Sequence, residues 1–65
     1  MQVTLYVLLD FSKKLEDLVI AVGSKTDVEA QLEELKKTQS YLDDPGRYDT
    51  MPLLIYKKVF YKRFL

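Results

Sequence analysis

The sequence predicts an α+β domain: a three-stranded antiparallel sheet in chain order ββαβ and spatial order 2-1-3, with one helix packed on one face. Three observations carry this expectation. An apolar stretch with two-residue period opens the chain, a capped stretch with helical period occupies the middle, and an aromatic and β-branched stretch closes it after a proline.

From Val3 to Phe11 the odd positions are Val3, Leu5, Val7, Leu9 and Phe11, alternating with Thr4, Tyr6, Leu8 and Asp10. A strand turns successive side chains to opposite faces, so the odd set forms a buried face, and Leu8 makes the even face partly apolar as well. The following FSKKLEDLVIAVGS fits two periods. Leu15, Leu18, Val19 and Val22 have helical spacing, whereas Leu18, Ile20 and Val22 share one face of a strand. The strand is favoured because Val19, Ile20 and Val22 are stiff at χ1, and because a helix would place Lys13 and Lys14 at its positive end. Ser12 to Glu16 is then a polar turn and Asp17 to Gly23 the second strand.

SKTDVEAQLEELKKTQSYLDD reads as the helix. Thr26 with Glu29 forms a capping box, Asp27 suits the positive helix end, and Val28, Leu32, Leu35 and Leu42 lie along one stripe. Pro45 ends the helix by Asp44, with fraying expected from about Gln39 because Asp43 and Asp44 oppose the dipole. DDPGRYDTMP is then a ten-residue loop, long enough to suggest either function or a missed helical turn. PLLIYKKVFYKRF is expected to return as the third strand, although Tyr56, Phe60 and Phe64 at i,i+4 leave a helical turn open. Packed on one side only, this sheet would leave its other face uncovered, with Tyr6 and Leu8 on it.

At 65 residues the chain has room for one domain, spanning residues 1–65, and one core, which removes only about 60% of the unfolded surface from water. Its 48% apolar content rules out a disordered reading and makes burial against a second copy, a homodimer, attractive. The chain holds no cysteine and no histidine, which takes away thiolate sites, disulfides and the commonest general base. The N-terminus lacks a basic leader and a small-residue cleavage site, and no apolar run approaches a membrane span, so a cytoplasmic, non-membrane location is expected.

At VIAVGSKTDVEAQLEEL the chain resembles small uncharacterised bacterial and bacteriophage proteins of strand, strand, helix, strand order. The likeness lies in an apolar strand stepping through small residues into a helix that holds Ala30, Leu32 and Leu35, then a Tyr-Asp loop and a last strand. It implies that fold and a phage or mobile-element origin, and it brings no catalytic residues. Such proteins often have an acidic final strand, where this chain has Lys57, Lys58, Lys62 and Arg63.

Net charge is zero, but residues 1–55 hold six basic and ten acidic side chains, while residues 56–65 hold those four cations and no acid. The acids fall in the turn (Glu16, Asp17), on the wet helix face (Glu29, Glu33, Glu34) and in the loop (Asp43, Asp44, Asp49). These are places for solvated charge rather than for two carboxylates in unlike pockets, and the spacing fits no calcium loop. The expectation is therefore a protein without catalytic, cofactor-binding or metal-binding residues. Its function would be protein binding, as a phage-encoded modulator or inhibitor of a host protein, through Tyr6, Leu8, Tyr56, Lys57, Lys58, Tyr61, Lys62 and Arg63. The rival is a nucleic-acid binder that stacks bases on Tyr56, Phe60, Tyr61 and Phe64 beside the cations. A structural subunit of a larger particle is the third reading.

Overall fold

The computed structural model describes residues 4–60. Its centre is strand β1 (Tyr6–Asp10), flanked by β2 (Val19–Gly23) and β3 (Tyr48–Pro52) in the antiparallel order β2-β1-β3. Class and strand order are those the sequence predicts. Val7, Leu8, Leu9 and Asp10 are all buried, at 0–3% exposure, so β1 is covered on both faces. A strand buried on both sides needs apolar residues in succession rather than in alternation. That is why Leu8 interrupts the pattern.

Between β1 and β2 the chain makes a turn ending in one 3₁₀ turn, Leu15–Asp17, so β2 begins two residues later than expected. Leu18 follows it into the core at 4% exposure, and its carbonyl accepts from Asp10 N at 2.9 Å. The β1–β2 register runs Tyr6↔Gly23, Val7↔Val22, Leu8↔Ala21 and then Leu9↔Val19, which leaves Ile20 as the extra residue of a β-bulge.

Helix α1 (Lys25–Leu35) starts earlier than its expected cap. Ser24 Oγ, not Thr26, accepts from the orphan amide of Asp27 at 3.1 Å. Only two residues separate the end of β2 from α1's second residue. A Cβ on Gly23 would sit 3.3 Å from Asp27 Cβ, so the strand meets the helix here closely enough to favour glycine. The helix breaks at Thr38 rather than fraying from Gln39. Thr38 Oγ1 donates to Leu35 O at 2.6 Å and accepts from Tyr41 N at 3.4 Å, closing α1 and capping the short α2 (Gln39–Asp43).

The largest departures follow. The expected loop 43–52 contains a 3₁₀ turn, Pro45–Arg47, and the whole of β3, whose register with β1 runs from Tyr6↔Pro52 to Asp10↔Tyr48. Pro52 ends that strand instead of preceding it, a position where an edge strand tolerates its missing donor. The expected third strand is helix α3 (Leu53–Phe60) in its described part; Tyr61, Lys62, Arg63 and the two residues after them lie outside the described residues. Leu53, Tyr56 and Phe60, at helical spacing, pack against Val7, Leu9 and Leu18, together with Val19 and Met51. The Tyr56 and Phe60 rings stand 5.4 Å apart, tilted by 32°.

Strand alternation puts Leu8 on the opposite face. There α1 lies against all three strands, Val28 is fully buried, and Glu29, Ala30 and Leu32 line a groove with Thr50, Leu8's partner on β3. The sheet face expected to be uncovered is therefore covered. The third strand arrives from the loop, which frees the C-terminal segment to form a second covering helix.

Candidate interaction surfaces

The chemically richest place among the described residues lies at the end of β1. The Asp10 side chain is 4% exposed, and its two oxygens accept from Arg47 Nε at 2.9 Å and Arg47 Nη2 at 3.1 Å. Ser12 adds its amide at 3.0 Å and its hydroxyl at 2.6 Å. These donors hold the Asp10 carboxyl at about 2, below its usual 3.8, chiefly through the Arg47 hydrogen bonds and against the opposing push of burial. The same contact pushes the guanidinium further up. Arg47 also lies 5.2 Å over the Tyr48 ring, and its carbonyl accepts from Phe11 N at 2.7 Å.

With four donors on two oxygens, Asp10 is saturated and stays ionised at neutral pH. It therefore acts as a pin, tying the residue before β3 to the end of β1, rather than as an acid or base. The other acids weighed from the sequence are surface groups. Asp43 accepts from Gln39 Nε2 at 2.8 Å, Asp49 accepts from Thr50 N at 2.8 Å, and both are exposed. Among the described residues, no three acids, histidines or cysteines are grouped to hold a metal ion.

The expected partner-binding residues are divided by the fold. Leu8 is 1% exposed under α1 and Tyr56 is 6% exposed against the sheet, so neither can reach a partner. Both belong to the core because each face of the sheet carries a helix. Tyr6 is half-buried between Gly23 and Pro52. Lys57 and Lys58 are exposed on α3, in its last turn, where the helix dipole favours cations. Tyr61, Lys62 and Arg63 fall outside the described residues.

Two surfaces went unread in the sequence. On α3, Leu54, Ile55 and Val59 point away from the sheet and are 43–58% exposed. Beside them an open groove of about 290 Å³ is lined by Thr4, Leu5, Leu53, Leu54 and Lys57. Once 53–60 is helical, the spacing of Leu53, Tyr56 and Phe60 leaves these other apolar residues outside, and that spacing was the available signal. The second surface is the outer edge of β2. No residue from Val19 to Gly23 is charged or proline, and Ile20 and Val22 remain exposed.

No family model, curated protein or solved structure matches this chain. Among the described residues, no helix is long and apolar enough to cross a membrane.

Proposed function

We propose that the chain is a non-catalytic protein-binding module whose contact surface is the outer side of α3 with the adjoining Leu5 groove. The observation that carries this reading is the apolar trio Leu54, Ile55 and Val59, exposed on one helix beside Lys57 and Lys58. A large apolar side chain contributes roughly 1.5–3 kcal/mol when it is fully taken out of water, so a few such side chains on the outer side of one helix are sufficient to anchor an interface. The lysines select a partner whose rim is acidic, mainly by steering its approach. The module works by occupying a surface. On the origin that the bacteriophage resemblance implies, it is a modulator or inhibitor of a host protein.

The test is affinity capture from host lysate with the full chain and with a Leu54→Ser, Val59→Ser variant whose melting curve matches. A partner recovered by the first and lost by the second is the expected result. Equal recovery by both, or nothing above background with either, overturns the reading. Retention on heparin that falls linearly with log salt would instead favour the nucleic-acid rival built on the basic C-terminal segment.

A further inference from the structure

We propose that β2 pairs antiparallel with β2 of a second copy of this chain about a two-fold axis near Ala21, joining two sheets into one of six strands. The inference concerns a different surface from α3 and does not depend on the reading above.

The first ground is an open edge without charge or proline. Among the described residues β2 is an outer strand, bonded only to β1 in the sheet, and an unpaired row of amides and carbonyls is a template for another strand. Proteins blunt such edges with charge, proline, bulges or short strands; VIAVG is short and bulged at Ile20 but carries neither charge nor proline. The outer strand on the other side, YDTMP, has both.

The second ground is self-complementarity, which a two-fold interface requires. A two-fold at Ala21 sets residue 21+k against residue 21−k. Ile20 of each copy then stands opposite Val22 of the other, and these are the two exposed large apolar side chains of β2, at 37% and 55%. Val22 lies on the α3 side of the sheet as the partner of Val7, yet α3 lies against β1 and β3. The seam thus gathers four apolar side chains that α3 leaves exposed.

The third ground is charge. Asp17, in the 3₁₀ turn before β2, and Lys25, at the start of α1 after it, lie just beyond the two ends of the strand, so an antiparallel pair sets an acidic end beside a basic one, twice. Both side chains are exposed, and Lys25 has only a loose 4.0 Å contact with Glu29. Opposite charges at the two ends favour the antiparallel arrangement over the parallel one.

The bulge at Ile20 limits how many residues can pair, so the dimer is reversible rather than permanent. Sedimentation velocity of the full chain over a concentration series should show monomer passing to twice the monomer mass. Val22→Lys should weaken that association by about tenfold or more while leaving the circular-dichroism melt in place. Because a lysine in a strand could disturb folding, a charge swap provides the second arm. Asp17→Lys alone weakens the dimer, and Asp17→Lys with Lys25→Asp restores it. A chain that stays monomeric throughout overturns the proposal. So does a dimer that survives Val22→Lys, or one that the double swap fails to restore.

Discussion

The two outer strands of the sheet have equal length and share one central partner, yet they are held in different ways. β3 is preceded by Arg47, which is bolted to Asp10 by two charge-assisted bonds, and it carries Asp49 and ends in Pro52. β2 carries no charge and no proline, bends at a bulge, and exposes Ile20 and Val22. Both strands pair only with β1 in the sheet of described residues, but one edge is guarded by charge and proline and the other is not. β3 contributes its polar chemistry to stability, and β2 keeps a surface that no described element covers.

Substitutions graded by size test that contrast. Leu8 is the residue both edges share, opposite Ala21 on one side and Thr50 on the other. Leu8→Ala should cost about 3 kcal/mol in urea denaturation by leaving a cavity under α1. A loss below about 1 kcal/mol would mean that the α1 face is as open as the sequence first suggested. Asp10→Ala acts chiefly on the β3 edge, with a smaller effect on the β1–β2 turn through the two bonds from Ser12. It leaves the Arg47 guanidinium without its carboxylate partner and should cost about 2–3 kcal/mol, reduced from the fully buried case because Arg47 is 28% exposed and keeps its place over the Tyr48 ring. The amides of β3 should then exchange sooner than those of β2, reversing the order in the parent chain.

The pin also sets an acid limit. Asp10 has a folded value of about 2 against an ordinary 3.8, so the folded state binds the proton less readily than the unfolded one. Its stabilisation, about 2 kcal/mol, is complete above pH 4 and is lost as pH falls through about 2. Denaturation midpoints followed from pH 5 to pH 2 should decline in the parent chain and decline less in Asp10→Asn. Equal slopes would place the acid sensitivity elsewhere. The smallest effect belongs to the other edge. Val22→Lys should change stability by no more than about 0.5 kcal/mol, since its side chain is more than half exposed.

How far the fold was legible depended on whether its causes were local. α1 announced itself through the period of Val28, Leu32 and Leu35, and β1 through its apolar run, although burial there does not follow the two-residue period: Leu8 and Asp10 are buried, while Leu5 and Phe11 of the expected buried face are exposed. The α1 cap was misplaced by two residues, since Ser24 and Thr26 offer equivalent hydroxyls and only the close step at Gly23 decides between them. β3 and α3 were read one element out of phase. β3 holds the strand formers Tyr48 and Thr50, but Asp49, Pro52 and the preceding Pro45 and Gly46 carry turn signals, and Ile55 and Val59 are β-branched residues placed in a helix. In both cases the partner, β1 or the sheet face, overrides intrinsic preference. The partner-binding residues inherited that error, so Leu8 and Tyr56 moved inside while Leu54, Ile55 and Val59 moved out. The Asp10–Arg47 pair links positions 37 apart and leaves no trace in either local stretch.

Residue-resolved amide exchange on the parent chain, at low and at high protein concentration, tests the contrast between the edges most directly. The account predicts that β3 amides exchange at the same rate in both samples, while amides of Val19–Gly23 that are fast when dilute become protected when concentrated. Protection that is unchanged in β2, or that rises in β3 or α3 instead, would contradict it.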